Sequence, residues 1–409
     1  MADEFIDTLI VGGGQAGLAI SAHLRDQNVP HLILERSRIG EAWRTARWDS
    51  LVANGPAWHD RFPAKEFADV DGDAFAPKDS VVRYLEEFAG QIDAPIRCGV
   101  EATKIETKPT DDGYRIETDP GVIEARNVVV ATGPFQKPII PPLVPETQSL
   151  TQLHSHGYKN PDQLEQGAVL VVGAGSSGGQ IADELLRAGR NVFLSVGPHD
   201  RPPRSYRGKD FVWWLGVLGK WQAKTPPVGR EHVTISVSGA HGGKTVDFRH
   251  FAERGMVLVG MAAGFQNGVM QFAADLSDNI AQGDANYLSV LEEADTYINQ
   301  QGLDFPLEPE AKELGPEPEC ARNPITQLDL EAKGIKTIIW ATGYAQDFKW
   351  LQVDAFDAQN LPVHDRGVSK QPGIYFLGLP WLSMRGSSFI WGVWEDAKYL
   401  ANHISLRRE

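Results

Sequence analysis

Residues 9–17 read Leu-Ile-Val-Gly-Gly-Gly-Gln-Ala-Gly, and this stretch decides the fold. An apolar, β-branched run leads into a G-x-G-x-x-G pattern, after which the sequence becomes helix-like. Gly12 allows a tight turn, Gly14 lets the backbone approach a pyrophosphate, and Gly17 lets the helix pack closely on the strand. The pyrophosphate would lie at the positive N-terminus of that helix. The stretch therefore predicts a strand–turn–helix unit that holds a dinucleotide.

The same pattern occurs a second time at residues 170–178, Leu-Val-Val-Gly-Ala-Gly-Ser-Ser-Gly. Each copy is followed by an Ala-Thr-Gly triplet, Ala131-Thr132-Gly133 after the first and Ala341-Thr342-Gly343 after the second. One glycine pattern alone is a weak signal. Two copies, each with its own triplet, predict two dinucleotides in one protein, an arrangement that suits electron transfer from one to the other.

The first copy has the acidic residue that a ribose requires. Glu35 ends the second strand of the unit, near the spacing of about 20 residues that the pattern expects, and it can accept hydrogen bonds from ribose hydroxyls. We therefore assign FAD to this copy; a glycine-rich turn with a chance glutamate is the alternative. Trp43 either covers part of the cofactor or is an ordinary core aromatic. The residues predicted to bind FAD are Gly12, Gly14, Gln15, Ala16, Gly17, Glu35, Arg36, Trp43, Val100, Ala131, Thr132 and Gly133.

The second copy lacks that acid. Ser195 stands at the matching position, where a serine can donate to a 2′-phosphate that a carboxylate would repel. In the basic run that follows, Arg201, Arg204 and Arg207 are candidates to hold the phosphate bidentately; a solvated basic loop is the alternative. We therefore assign NADPH to this copy. The residues predicted to bind it are Gly173, Gly175, Ser176, Ser177, Gly178, Ser195, Arg201, Arg204, Arg207, Ala341, Thr342, Gly343 and Tyr344.

Composition indicates a globular protein with more than one domain. The chain has 409 residues, 42% of them hydrophobic, and its net charge of −15 argues against non-specific nucleic-acid binding. Cys98 and Cys320 form no C-x-x-C pair, so we expect inert buried thiols, no redox disulfide and no zinc site. The sequence has neither a signal-peptide pattern nor an apolar run long enough to span a membrane, which predicts a cytoplasmic location.

The strand–helix–strand pattern covers residues 5–35 and recurs at 167–196, which predicts an α/β fold with parallel sheets. We expect two Rossmann-like dinucleotide-binding domains, with the NADPH domain inserted into the FAD domain. The predicted boundaries are 1–164 and 329–409 for the two parts of the FAD domain and 165–328 for the NADPH domain.

Three further segments have predicted structures. Residues 285–301 predict a helix with Asp284 as its N-cap, and residues 307–324 predict a surface loop. The tryptophan-rich residues 211–221 are interpreted as a lid over a substrate channel, as an interface with a partner or membrane, or as buried core.

The residues after the second triplet continue as Tyr-Ala-Gln-Asp-Phe-Lys-Trp-Leu at 344–351. With the two glycine patterns and the paired triplets, this segment resembles class B flavin-dependent monooxygenases, over nearly the whole chain. The sequence looks most similar to bacterial flavin-containing monooxygenase-like flavoproteins and to the plant auxin-forming flavin monooxygenases. The resemblance implies that NADPH reduces FAD, that reduced flavin and dioxygen give a C4a-(hydro)peroxyflavin, and that oxygen passes to a small organic substrate.

The resemblance also implies two catalytic residues. Asn54 lies in a segment where this family places an asparagine near the flavin C4a; a loop asparagine in a turn is the alternative. His154 and Tyr158 match the end of the family's linker signature F-x-G-x-x-x-H-x-x-x-Y/W, whereas Gln148 and Leu150 occupy its Phe and Gly positions. His154 is expected to couple domain movement, and a purely structural linker role is the alternative.

Near the C-terminus, residues 373–381 resemble the strand that closes the FAD site in this superfamily, and residues 382–394 would begin the last helix. Candidate pocket walls there, with core packing as the alternative for the tryptophans, are Met384, Arg385, Trp391 and Trp394. N- or S-oxidation, hydroxylation and oxygenation of a ketone or keto acid remain open, and so does a homodimer. The alternative functions are a non-oxygenating NADPH-dependent flavin oxidoreductase and a non-catalytic nucleotide-sensing flavoprotein.

Overall fold

The computed structural model describes residues 4–108, 113–146, 148–224 and 235–408. Short strands alternate with helices along these residues, as an α/β fold requires. The strands are β1 Glu4–Val11, β2 His31–Glu35, β3 Ile96–Cys98, β4 Ala102–Thr107, β5 Tyr114–Thr118, β6 Gly121–Val130, β7 Lys137–Pro138, β8 Thr151–His154, β9 Ala168–Val172, β10 Val192–Ser195, β11 Ser205–Tyr206, β12 Lys209–Asp210, β13 Val257–Val259, β14 Ala262–Gln266, β15 Val269–Phe272, β16 Gln327–Asp329, β17 Ile335–Trp340, β18 Tyr344–Ala345, β19 Leu351–Gln352, β20 His364–Asp365, β21 Val368–Ser369 and β22 Ile374–Phe376.

The helices lie mostly between consecutive strands of the two large sheets. They are α1 Gln15–Asp26, α2 Glu41–Thr45, α3 Lys78–Gln91, α4 Ser176–Arg187, α5 Phe211–Val217, α6 Phe248–Glu253, α7 Leu276–Gln301, α8 Glu319–Arg322 and α9 Val393–Arg407, with 3₁₀ turns at Pro161–Gln163, Ala240–Gly242 and Pro309–Lys312. No helix among the described residues is both long and apolar enough to cross a membrane.

The first sheet is built around β1. Strands β2 and β6 flank β1 in parallel, with Val11 level with Leu34 on one side and with Val130 on the other. Strand β3 extends the sheet beyond β2, and β22 runs parallel to the end of β6. Since parallel strands end at the same edge of a sheet, the turns after β1, β2 and β6 lie together there. Strands β4 and β5 join through antiparallel pairing with the start of β6.

The second sheet repeats this plan around β9. Its order is β13-β10-β9-β17-β8, and every pair is parallel. The predicted α/β class with two Rossmann-like units is therefore confirmed. Strands β8 and β17 both lie outside residues 165–328, so this sheet takes residues from both sides of the range predicted for the NADPH domain. The boundaries at 164 and 328 stay a prediction.

Helix α7 begins earlier than predicted. It starts at Leu276 and not near residue 285, because Ile280 and Leu276 are buried and extend the apolar face by two turns. Asp284 therefore lies inside the helix, where its buried carboxylate pairs with Arg201 and Arg249. Residues 307–324 are mostly irregular, as expected, but contain the 3₁₀ turn Pro309–Lys312 and helix α8.

The tryptophan-rich segment belongs to the core. Asp210 caps α5 by accepting a hydrogen bond from the Val212 amide at 2.9 Å. Trp214 is 0% exposed and Trp221 is 6% exposed, so the core alternative for residues 211–221 holds for these two rings. The predicted buried thiols are wrong for Cys98, which is exposed on β3 at the edge of the first sheet, and only partly right for Cys320.

Buried histidines make the stability of this protein depend on pH. Burial lowers the pKa of six histidines: His23, His31, His154, His156, His199 and His364. Below their unfolded pKa of about 6.5, the unfolded chain binds more protons than the folded chain, so acid favours unfolding. We expect the free energy of unfolding to fall by at least about 1 kcal/mol between pH 7.5 and pH 5.5.

Urea denaturation across that pH range measures the effect. Burial raises the pKa of Asp200 and Asp396, which opposes the loss, since these carboxyls bind protons more readily in the folded state. A stability that is constant from pH 7.5 to pH 5.5 would contradict the prediction.

Candidate active site

One cavity of about 1660 Å³ is lined by both glycine patterns and both Ala-Thr-Gly triplets. This volume exceeds the roughly 300–1,000 Å³ of a single-ligand pocket, so it has room for two cofactors. The predicted site residues that line it are Gly12, Gly14, Gln15, Ala16, Glu35, Arg36, Trp43, Asn54, Val100, Ala131, Thr132, Gly133, Gly173, Gly175, Ser176, Ser177, Gly178, Ser195, Ala341, Thr342, Gly343 and Tyr344. Those outside its lining are Gly17, His154, Arg201, Arg204 and Arg207.

The first glycine pattern packs directly on the first triplet. Gly12 has φ = +116°, and a Cβ built on it would lie 2.6 Å from the carbonyl oxygen of Ala131. The Ala131 amide in turn donates to Val11 at 2.9 Å. Only a glycine at residue 12 permits this approach. The triplet therefore recurs with the glycine pattern because the two form one turn-on-turn contact.

The second pattern repeats the contact. Gly173 has φ = +106°, its Cβ would lie 2.5 Å from the carbonyl oxygen of Ala341, and the Ala341 amide donates to Val172 at 2.8 Å. Helices α1 and α4 begin directly after these turns, with Gly14 and Gly175 as their N-caps. Neither cap glycine carries a side-chain cap, so the first amides of α1 are available to an anion. At α4 the Ser176 amide donates to the carbonyl of Ile235 at 2.8 Å, which leaves the amides of Ser177 and Gly178 for an anion.

Glu35 stands where a ribose would be bound. Its carboxylate accepts hydrogen bonds from the backbone amides of Gly13 at 2.7 Å and Ser37 at 2.9 Å. These two bonds fix its orientation at the end of β2 and leave further lone pairs for ribose hydroxyls. Arg36 points outward, with its guanidinium 3.8 Å from Glu101.

Trp43 and Gln15 form a second part of the first site. The Trp43 indole donates to Gln15 Oε1 at 3.2 Å, and Gln15 Nε2 donates to the carbonyl of Ser388 at 3.0 Å. Trp43 packs against the cores of both sheets, so both alternatives for this ring have support: it lines the cavity and belongs to the core. Gln15 connects the start of α1 with the turn that precedes α9.

The three arginines predicted to hold the 2′-phosphate are engaged elsewhere. Arg201 pairs with Asp284 at 2.8 Å, Arg207 pairs with Asp295 at 2.9 Å, and Arg204 forms a bidentate pair with Asp210. Their side chains are only 4%, 9% and 5% exposed. The prediction that they bind the phosphate is wrong, because each is buried against a carboxylate outside the cavity.

Ser195 is also occupied, although it lines the cavity. It is 2% exposed, and its hydroxyl donates to the carbonyl of Gly260 at 2.9 Å. The loop after β10 contributes Gly197 and Pro198 to the cavity, and Met261 lies beside them. This end of the cavity therefore offers apolar walls to a nucleotide.

Asn54 lines the cavity on the side of α4. Its Oδ1 accepts a hydrogen bond from Gln180 Nε2 at 2.9 Å, and its carbonyl accepts one from Arg204 at 2.6 Å. Because Oδ1 is engaged, the Nδ2–H groups are the donors that Asn54 can offer to a ligand. Gln180, which the sequence reasoning missed, lies on α4 two residues after Gly178, the last glycine of the second pattern.

His154 ends β8 and connects it to the loop after β17. Its Nδ1 accepts from the His156 amide at 3.1 Å, which places the proton on Nε2, and Nε2 donates to the carbonyl of Gly343 at 2.9 Å. Burial lowers the pKa of His154. The ring lies 4.9 Å from the ring of Tyr344. This geometry suits a positioning residue behind the second triplet.

Arg47 is a cavity residue that the sequence reasoning did not select. Its guanidinium lies 4.8 Å from the ring of Phe135 and donates to the carbonyl of Ala46 at 2.9 Å. Burial lowers the pKa of Arg47, and the hydroxyl of Tyr344 opposes this shift. The signal that could have revealed it is the cluster of two tryptophans and two arginines at residues 43–48, Trp-Arg-Thr-Ala-Arg-Trp.

The residues present fit two dinucleotides. Gly14 shows open space where a Cβ would be, so a pyrophosphate can approach the start of α1 directly. Glu35 supplies ribose acceptors at the first site. At the second site the glycine turn and the α4 amides of Ser177 and Gly178 are in place, whereas the buried arginines contribute nothing to the phosphate.

Comparison with known proteins places the chain in a family. A family model described as pyridine nucleotide-disulphide oxidoreductase matches residues 9–207. An uncharacterized CzcO-like oxidoreductase from Geobacillus kaustophilus is 34% identical over 405 residues, which cover 98% of this chain and 99% of that protein. The indole-3-pyruvate monooxygenase YUCCA1 of Oryza sativa is 32% identical over 192 residues, 46% of this chain and 47% of that protein.

A solved structure has the same fold. The flavin-containing monooxygenase from Stenotrophomonas maltophilia superposes with a TM-score of 0.68 at 19% identity, covering 99% of this chain and 100% of that one. The resemblance to flavin monooxygenases drawn from the sequence is confirmed. Since the near-full-length match exceeds 30% identity, the chain belongs to the family of CzcO-like oxidoreductases and is a flavin-monooxygenase-like enzyme with FAD and NADPH as its cofactors.

Proposed function

We propose that this protein is a cytoplasmic FAD- and NADPH-dependent monooxygenase of the C4a-(hydro)peroxyflavin type, which uses dioxygen to oxygenate a small organic substrate. The observation that carries the proposal is the single cavity on which both glycine patterns open. Cofactors held in one cavity can meet directly, and their positioning alone contributes much of the rate of hydride transfer from NADPH to FAD. When bound, FAD supplies the redox and oxygen-activating chemistry.

The chain's own residues bind the two cofactors, orient them and exclude water from the cavity. The first turns of α1 and α4 present backbone amides to the two cofactors. Gln180 holds the Asn54 amide, so that its Nδ2–H groups are fixed where they could donate to a cofactor or substrate in the cavity. His154 holds the carbonyl of Gly343 and thereby the second triplet. Asn54 is thus our candidate catalytic residue, and His154 our candidate positioning residue.

Two relatives support oxygenation. One is named for the oxygenation of indole-3-pyruvate, and the other is a flavin-containing monooxygenase. A dithiol mechanism, which the name of the matching family model suggests, has less support. Cys98 is exposed on β3, and Cys320 lines a separate cavity of about 530 Å³, so neither thiol lines the cofactor cavity.

A stopped-flow experiment tests the proposal. Enzyme reduced with NADPH under anaerobic conditions is mixed with oxygenated buffer, and the flavin absorbance is followed together with hydrogen peroxide release. We expect a transient oxygenated flavin that decays slowly while NADP⁺ stays bound, because the nucleotide shields the flavin from water. Asn54→Ala should shorten the lifetime of this transient by about 10-fold or more, whereas Asn160→Ala, at a half-buried asparagine outside the cavity, should not.

Three results would count against the proposal. If oxidised flavin returns without any transient while dyes are reduced rapidly, the protein is a non-oxygenating oxidoreductase. If both nucleotides bind but NADPH reduces the flavin negligibly slowly, the protein is a nucleotide sensor. Purified protein that is colourless and cannot be reconstituted with FAD would contradict all three functions.

A further inference from the structure

Arg385 is a cavity-lining cation without a hydrogen-bond partner for its guanidinium in the described part of the chain. The cavity is also lined by Arg36, Arg47, Lys137 and Lys349. Of these, Lys137 and Lys349 are exposed, Arg36 lies near Glu101, and Arg47 is hydrogen-bonded. Burial lowers the pKa of Arg385, and the charge of Asp200 opposes this shift. Among the described residues, no carboxylate forms a hydrogen bond or ion pair with this guanidinium and its five donors.

The turn that carries Arg385 is rigid. Ser387 Oγ accepts hydrogen bonds from the amides of Ser383 at 3.0 Å and Met384 at 3.1 Å, and the Arg385 amide donates to the carbonyl of Ala223 at 3.1 Å. A Cβ on Gly386 would lie 2.5 Å from the ring of Trp391, so the turn is closely packed. It occupies residues 382–392, where the sequence predicted the start of the last helix; α9 begins only at Val393.

The same turn lies next to the first cofactor site. A Cβ on Gly378 would lie 2.9 Å from Cβ of Ala16, at the start of α1, and Gln15 donates to the carbonyl of Ser388. Arg385 therefore lies where the residues around the first glycine pattern meet those that follow the second one. A flavin nucleotide bound at the first glycine pattern would therefore have the turn of Arg385 beside it.

Arg385 is accompanied by aromatic rings. Its Cζ lies 6.0 Å from the ring of Trp221, and Phe389, whose ring is 5.7 Å from the same tryptophan, lines the cavity and is 42% exposed. Trp221 is held in turn by His59 at 5.5 Å and Trp391 at 5.1 Å. An exposed phenyl ring in a cavity favours a flat apolar ligand.

We propose that Arg385 and Phe389 form a substrate site at the flavin end of the cavity, where Arg385 binds the carboxylate and Phe389 contacts the ring of a flat aromatic acid. That the bound acid is a substrate for oxygenation rests on the proposed function, whereas its binding by Arg385 and Phe389 does not. Two other charges act near the site without lining the cavity: Asp200 acts on Arg385, and Lys220, which pairs with Glu293, acts on Asp200. A bound carboxylate would give the guanidinium the bidentate partner that Asp200 does not provide.

Isothermal titration of the oxidised, FAD-loaded enzyme without NADPH tests the site independently of turnover. The probes are 2-naphthoate, the uncharged 2-naphthamide, and acetate, which has the charge but no ring. We expect 2-naphthoate to bind about 10- to 100-fold tighter than 2-naphthamide, and acetate to bind weakly. Arg385→Gln should remove this preference, and Arg385→Lys should keep part of it, since lysine retains the charge but not the fork.

Asp200→Asn should give a result that a merely structural role of Arg385 does not predict. Removing this negative charge should strengthen 2-naphthoate binding by about 2- to 5-fold, in the direction opposite to Arg385→Gln. Arg322→Gln, at an exposed arginine outside the cavity, is the matched control and should change nothing. Thermal midpoints and FAD content show that each variant is folded.

Three outcomes would overturn the proposal. The first is that 2-naphthamide and 2-naphthoate bind equally well to the unaltered enzyme. The second is that the preference for 2-naphthoate survives in Arg385→Gln. The third is that Arg385→Gln weakens NADP⁺ binding and leaves 2-naphthoate binding unchanged, which assigns the arginine to the nucleotide. A failed oxygenation test leaves this titration unaffected, so the two proposals fail separately.

Discussion

Replacing Arg204 by alanine is expected to lower the free energy of unfolding by about 3–5 kcal/mol, without changing the preference for NADPH over NADH. The guanidinium is 5% exposed and forms a bidentate pair with Asp210. It also donates to the carbonyl of Asn54 at 2.6 Å and lies 4.6 Å from the ring of Phe211. Its removal leaves the Asp210 carboxylate partly buried and unpaired, which costs far more than an exposed ion pair.

Urea denaturation at neutral pH measures the loss, and KM values for both coenzymes are taken at low temperature, where the variant stays folded. Arg187→Ala is the control, because Arg187 pairs with Asp183 on the surface of α4 at 42% exposure and should cost less than about 1 kcal/mol. An Arg204→Ala protein with unchanged stability and a selectively raised KM for NADPH would restore the arginine to the 2′-phosphate.

The contrast between glycines and arginines shows what the sequence could predict. The glycine patterns act through their own backbone and through the next parallel strand, so their spacing carries the information, and both turns fold as expected. The partners of the arginines are far away: Asp284 lies 83 residues after Arg201, and Asp295 lies 88 residues after Arg207. A run of basic residues does not reveal whether distant carboxylates neutralise it, and here they do.

Asp284 illustrates the same limit from the acidic side. An aspartate before an apolar periodic stretch predicts an N-cap, but burial of Leu276 and Ile280 extends α7 past it. The carboxylate inside the helix then pairs with Arg201 and Arg249. The two errors therefore meet at one residue: apolar burial places Asp284 inside the helix, and its carboxylate there removes Arg201 from the expected phosphate ligands.

The cavity residues were predicted unevenly for a related reason. Residues fixed by the glycine turns could be found because the turns are local. Arg47 lies just after α2, and Gln180 lies on α4. Both line the cavity because these two segments approach each other, and no short motif encodes that approach. Arg385 was predicted to line the pocket, but at the start of the last helix. It lies instead in a turn before that helix, and this turn depends on the packing of Gly386 against Trp391.

The paired glycines provide the second large effect, because equivalent substitutions should separate the two cofactors. Gly173→Ala places a Cβ 2.5 Å from the carbonyl oxygen of Ala341 at φ = +106°, a conformation that alanine adopts only with strain. The turn must shift by roughly an ångström, and a displacement of that size costs about 100-fold in the rate of a positioned transfer. We expect a protein that keeps FAD but is reduced by NADPH about 100-fold more slowly.

Gly12→Ala makes the corresponding change at φ = +116° and 2.6 Å from Ala131, and should instead yield protein that has lost most of its FAD. The flavin absorbance per chain and the anaerobic rate of NADPH-dependent flavin reduction are the two measurements. Gly189→Ala is the matched control: its φ is +77° but nothing lies within 4 Å of the new Cβ, so it carries the backbone strain without the collision. Of the two Ala-Thr-Gly triplets, each glycine turn contacts its own, so each substitution should disturb only the cofactor bound there. If Gly173→Ala loses FAD, or if Gly12→Ala retains FAD while NADPH binding fails, the assignment of the two cofactors must be reversed.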